Sequence, residues 1–176
     1  MRETMIVAIS GKSGCGNSTV SRMVAERLGL RWINYTFRNI SQEQGVPFEQ
    51  ILKEAQESPR WDLYLDERQK NLLQEGTCVL GSRLAIWLAP PEAFKVYLYA
   101  PLEVRARRIQ KREGGRFEEI LEETRERDRR DAGRYLALYG IDIDRYEEVA
   151  DLVIDTTELT PEEITERIVA GVQKGA

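Results

Sequence analysis

The stretch G-K-S-G-C-G-N-S-T, residues 11–19, has the spacing of a loop that holds phosphate. Such a loop reads G-x-x-x-x-G-K-[ST]. Its backbone N–H groups cradle the anion, its lysine reaches the β- and γ-phosphates, and its Ser or Thr hydroxyl meets magnesium. Gly11 and Gly16 fill the glycine positions and Ser18 the hydroxyl position, but Asn17 stands where the lysine belongs. Lys12 is a candidate source of the missing charge. Variant loops of the form K-G-G-x-G-K-[ST] carry a second lysine near the start, and its four-carbon stem can fold back over the loop. Two alternatives stay open from the residues: a solvated surface lysine at position 12, and a glycine-rich turn that binds nothing.

A second set of residues fits the same chemistry. Arg127, Asp131 and Arg134 stand at i, i+4 and i+7, and Arg105, Arg108 and Arg112 at i, i+3 and i+7. Each set shares one face if its segment is helical. Phosphoryl transfer needs positive charge around the transferring group, and arginine binds phosphate oxygens through two parallel bonds. The alternative is a pair of solvated, salt-bridged helices.

These residues need a frame that holds them, and the pattern supplies one. Residues 5–9 are a continuous apolar run, as a buried parallel strand requires, and Val20, Met23, Val24 and Leu28 then recur at helical spacing. Further strands are expected at 30–35, 77–80, 94–99 and 152–154. Residues 36–73 read as mostly helical, broken at Gly45-Val46-Pro47 and Ser58-Pro59, and 84–88 as a short helix. Two charged helices, 101–112 and 117–139, are joined by Gly114-Gly115, the expected hinge of a lid spanning 104–134. Thr160-Pro161-Glu162-Glu163 opens a last helix with an N-cap, Pro at the first position and Glu at the third, and Ile164, Ile168 and Val172 form its buried face. Strands alternating with helices specify an α/β fold with a parallel sheet, in one domain over residues 1–176.

Composition narrows the chemistry. The chain contains no histidine, which excludes His-based acid–base, triad and zinc chemistry, and its two cysteines, Cys15 and Cys78, have no metal-ligand spacing. A net charge of −4 gives no electrostatic case for a nucleic acid polymer or an acidic membrane. No apolar run is long enough to span a bilayer, and M-R-E-T is not a signal-peptide start. A reduced, cytoplasmic protein is the expectation.

The segments N-Y-T-F-R (34–38), G-S-R-L-A-I-W (81–87), A-P-L-E-V-R-A-R-R-I-Q-K-R-E-G (100–114), R-E-R-D-R-R-D-A-G-R-Y (125–135) and Y-G-I-D-I (139–143) together resemble the cytidylate kinases, in their short, archaeal-type branch. The resemblance runs over essentially the whole chain. It implies the fold of the P-loop nucleoside monophosphate kinases: a five-stranded parallel sheet of order 2-3-1-4-5, an acceptor-binding segment at about 36–75, and an arginine-bearing lid. It also implies magnesium-dependent transfer of the ATP γ-phosphate to CMP or dCMP. On that likeness Gly11, Lys12, Ser13, Gly14, Cys15, Gly16, Asn17, Ser18 and Thr19 would hold ATP, with Ser18 on magnesium. Arg38 would hold the acceptor phosphate and Arg83 would lie near it or the pyrimidine. Arg127 and Arg134 would bridge the two substrates, and Asp131 would order an arginine and reach the ribose. Arg108 and Arg112 match lid arginines beside the donor, and Asp66 matches a position in the acceptor segment.

This sequence departs from the family pattern twice. Asn17 replaces the loop lysine, or the threonine found there in part of this branch. Gly81 stands where related kinases carry an acidic residue, as in D-G-R or E-G-R, that orients magnesium-bound water. Two other readings therefore stand beside a cytidylate kinase: a kinase of another small acceptor, such as AMP, UMP or a metabolite, and a nucleotide-binding regulator with little or no turnover.

Overall fold

The computed structural model describes residues 4–175. Strand β1 (Ile6–Ser10) is buried along its whole length, which fits its unbroken apolar sequence. It pairs in parallel with β3 (Cys78–Gly81) and β4 (Phe94–Tyr99). Strand β2 (Arg31–Ile33) completes one side of the sheet and β5 (Leu152–Asp155) the other, giving the order β2-β3-β1-β4-β5. Side chains alternate across this sheet. Ile6 and Ala8 face one core with Leu80 and Tyr97, while Val7 and Ile9 face a second core with Val79, Val96 and Leu98.

The second core is closed by α1 (Asn17–Leu28) and α8 (Pro161–Lys174). Helix α1 ends at Gly29, whose left-handed φ of 65° lets its amide reach the last carbonyls. Helix α8 opens with the expected reciprocal cap between Thr160 and Glu163 and buries Ile164, Ile168 and Val172. The opposite face of the sheet carries α2 (Phe37–Gln44), α3 (Phe48–Glu57), α4 (Arg60–Gln74) and the short α5 (Ala85–Leu88).

Helices α6 (Leu102–Glu113) and α7 (Phe117–Tyr139) form a hairpin at the C-terminal edge of the sheet. Gly114 and Gly115 have φ of 77° and 97°, so this tight turn requires glycine. Ala106 and Ile109 of α6 pack on Phe117, Ile120 and Leu121 of α7 directly beside the turn. The glycine pair itself is exposed, so this packing flanks the turn without enclosing it.

Candidate active site

The loop between β1 and α1 lies at the C-terminal end of the central strand, where the chain's progression across the sheet reverses, the usual position for a ligand in such a fold. Its glycines have separate reasons. A Cβ on Gly11 would lie 2.3 Å from Cys15 Sγ and 2.7 Å from the Leu98 carbonyl oxygen. A Cβ on Gly14 would lie 2.7 Å from the Arg105 carbonyl oxygen, and Gly14 and Gly16 have left-handed φ of 82° and 88°. No side chain caps the N-terminus of α1, so the amides of its first turn remain available to an anion.

A cleft of about 770 Å³ opens over this loop. Gly11, Lys12, Ser13, Gly14, Gly16, Asn17, Ser18 and Thr19 form one end of it. Cys15 does not face it. Its thiol is buried behind the loop, its amide donates to the Lys12 carbonyl oxygen at 3.1 Å, and burial pushes its pKa up to about 11. Its side chain therefore takes no part in the lining, while its backbone belongs to the loop expected to hold ATP.

Five arginines from four segments line the same cleft: Arg38 from α2, Arg83 after β3, Arg108 and Arg112 from α6, and Arg127 from α7. Arg38 is held over the Phe48 ring at 4.2 Å, and Arg83 Nε lies 3.1 Å from Asp131 Oδ2. Arg108 donates to the hydroxyl and carbonyl oxygens of Thr156 at 3.0 and 2.7 Å. Arg127 makes no ion pair among the described residues. Burial lowers its pKa and the like charge of Arg83 lowers it further, against the opposing charge of Asp131.

Asp131 and Arg134 sit just behind the wall. Arg134 Nη2 reaches Asp131 Oδ1 at 3.1 Å and Asp62 Oδ1 at 3.4 Å. Asp66 lines the cleft and accepts a hydrogen bond of 2.7 Å from the Tyr139 hydroxyl, while burial raises its pKa to about 6. Asp62, one helical turn before it on α4, was not singled out by the sequence, although its i, i+4 relation to Asp66 was a readable signal. Asp62 Oδ2, Ser82 Oγ and Arg134 Nε are buried and find no hydrogen-bond partner among the described residues. Each such atom costs about 1–3 kcal/mol when left unpaired, so a polar partner at any of them would be stabilising.

Lys12 and Arg105 have specific partners. Lys12 Nζ meets Asp144 Oδ1 at 2.7 Å, and the lysine remains part of the cleft lining. Arg105 does not face the cleft with Arg108 and Arg112. It is buried and paired with Asp128, so the expected row of three arginines contributes two.

No cluster of three or more His, Cys, Asp or Glu suited to a metal occurs among the described residues. A side chain at position 81 is excluded sterically, since its Cβ would lie 2.4 Å from Ser21 Oγ. Ser21 is fixed there, accepting from Trp32 Nε1 at 3.1 Å and donating to the Ser18 carbonyl oxygen at 3.0 Å.

Residues 6–158 match the cytidylate kinase-like family. The chain belongs to that family. Cytidylate kinase 2 of Borrelia garinii subsp. bavariensis is 47% identical over 167 residues, covering 93% of this chain and 94% of the relative. The cytidylate kinase of Pyrococcus horikoshii is 37% identical, covering 92% and 84%. Among solved structures, shikimate kinase from Acinetobacter baumannii aligns with a TM-score of 0.61 at 21% identity, covering 98% of this chain and 94% of that one. That likeness supports the kinase fold and says nothing of the acceptor. The loop, the arginines and the carboxylates of α4 thus belong to a family of phosphoryl-transfer enzymes.

Proposed function

We propose that the protein is an ATP-dependent cytidylate kinase that transfers the γ-phosphoryl group of ATP to CMP or dCMP, giving ADP and CDP or dCDP. The observation that carries this reading is the convergence of five arginines from four segments on a cleft floored by a glycine-rich phosphate loop. Two substrates carrying four phosphates between them would bring strong negative charge to one place, and fixed guanidinium groups in a partly dry cleft stabilise it without reorganising.

The donor phosphates would rest on the loop amides and the N-terminus of α1. Arg38 and Arg83 would fix the acceptor phosphate, and Arg127 would face the transferring group, with Arg134 ordered behind it by Asp62 and Asp131. The acceptor's sugar and base would meet the carboxylates of α4, where Asp62 Oδ2 lacks a donor. Lys12, released from Asp144, would supply the charge that Asn17 cannot. Magnesium would offset phosphate charge and help to align the groups. Ser18, which lines the cleft, would hold it through its hydroxyl, with the remaining ligands coming from phosphates and water. The segment at about 36–75 would bind the acceptor and the α6–α7 hairpin would form the lid. The substrates are soluble small molecules, in keeping with a cytoplasmic monomer; among the described residues no helix is long and apolar enough to cross a membrane.

Asn17 in the lysine position favours one second reading, a CMP- or ATP-binding regulator with weak turnover. Initial rates with ATP against CMP, dCMP, UMP, AMP and a metabolite alcohol separate the two. Fastest turnover with CMP or dCMP is expected. Tight CMP binding without turnover would favour the regulator, and preferred turnover of another acceptor would displace both.

A further inference from the structure

We infer that Arg105 and Asp128 form a strut that makes binding of the donor and binding of the acceptor depend on each other. The inference rests on the two-substrate reading above and concerns positioning residues, since neither side chain lines the cleft.

Arg105 lies in the first turn of α6 and is only 5% exposed. Its Nε donates to the Ala100 carbonyl oxygen at 3.0 Å, at the end of β4. Its Nη1 donates to the Ser13 carbonyl oxygen in the phosphate loop at 3.2 Å and to Asp128 Oδ1 at 3.1 Å, and its Nη2 donates to Asp128 Oδ2 at 2.7 Å. One planar guanidinium thus joins the sheet, the phosphate loop and α7. The loop also rests on the Arg105 backbone, because Gly14 has no room there for a Cβ. Loop movement therefore reaches Arg105 through two contacts.

On the far side of the strut the connections continue into the acceptor wall. Asp128 is the direct neighbour of Arg127, which lines the cleft. One helical turn further on, Asp131 pairs with Arg83. A line of bonded groups therefore runs from Ser13 through Arg105 and Asp128 along α7 to Arg83. Seating donor phosphates in the loop fixes Ser13. Through the strut that fixes α7 and brings Arg127 and Arg83 to the positions an acceptor phosphate needs. The coupling is a free energy shared equally by the two nucleotides.

The measurement is calorimetric binding of CMP with and without a non-hydrolysable ATP analogue, on wild type and on Asp128→Asn. The asparagine amide turns an N–H₂ toward the guanidinium, so the two-point pairing is lost while Arg105 keeps its bonds to Ala100 and Ser13. In the wild type the analogue should tighten CMP binding at least about fivefold, and CMP should tighten the analogue by the same factor. In Asp128→Asn each nucleotide alone should bind within about threefold of wild type, and the mutual tightening should fall below about twofold. Asp128→Glu, which keeps a carboxylate within reach, should recover much of it. Should Asp128→Asn fail to fold, Arg105→Lys carries the same test, because an ammonium cannot bridge Ala100, Ser13 and both Asp128 oxygens at once. A purely structural pair would lower the melting temperature and leave the mutual tightening intact; that result would overturn the inference, as would a wild type that shows none. Wild-type protein that binds neither nucleotide would instead overturn the functional reading, and the strut role with it.

Discussion

Lys12→Ala separates a stabilising role of this lysine from a catalytic one. The Lys12 side chain is 27% exposed and that of its partner Asp144 is 63% exposed. An ion pair this open to solvent contributes at most about 1 kcal/mol. Its loss should therefore lower the melting temperature by no more than about 4 °C for a chain of this size. Turnover should respond differently. A preorganised charge on the transferring phosphate contributes about 3 kcal/mol to the transition state. Leaving Asp144 costs the ammonium up to about 1 kcal/mol of that, so a net of about 2–3 kcal/mol remains, or about 30- to 160-fold in rate. A coupled assay of ADP formation at saturating ATP and CMP gives the rate, and CMP titration gives the acceptor constant, expected to change less than about threefold. Turnover within about twofold of wild type would show that the ammonium stays with Asp144 and that the charge at Asn17 is supplied elsewhere or not at all.

On the acceptor side, Arg38→Ala and Arg83→Ala should each raise the CMP constant about 10- to 100-fold and leave the ATP constant nearly unchanged. A loss confined to ATP would reverse the inferred orientation of the site. Asp66 gives a pH signature: burial and the neighbouring charge of Asp62 raise its carboxyl to about 6 against the opposing Tyr139 hydrogen bond. Because the folded pKa is raised, the stability it contributes is full below about pH 4 and is lost as pH rises through about 6, so Asp66→Asn should gain melting temperature relative to wild type as pH rises from about 4 to about 6 and keep that gain above it. A pH-independent difference would mean that Asp66 does not titrate in that window. Hydrogen exchange over residues 104–134 should slow markedly with a bisubstrate mimic of five linked phosphates and only slightly with either nucleotide alone; equal protection by CMP alone would make the hairpin a fixed element.

Local patterns in the sequence report the fold closely. Strand β4 and helix α7 fall within the expected residues because each is a long run of one period, and the Thr160 cap fixes the start of α8. Boundaries slip by a residue where pairing decides them: β1 and β3 each begin and end one position later than their apolar runs suggest. Strand β2 is shorter than its apolar stretch because, at the sheet edge, Asn34 and Tyr35 turn into the cleft. The phosphate loop and most site arginines were legible because glycine spacing and helical spacing are short-range signals. Arg105 was misplaced because spacing says which side chains share a face and not what that face meets; its partners Ser13 and Asp128 lie far away in the chain. The same limit hid Asp144 beside Lys12 and the steric closure of position 81 by Ser21.

The central claim is that a loop with asparagine in place of its lysine still directs phosphoryl transfer to a pyrimidine nucleotide. Incubation with γ-labelled ATP, magnesium and CMP tests it most directly, with label followed into CDP and into inorganic phosphate. The account predicts label predominantly in CDP, and little release as phosphate with or without CMP. Label that appears only as inorganic phosphate, or stays in ATP while CMP is bound, would contradict it.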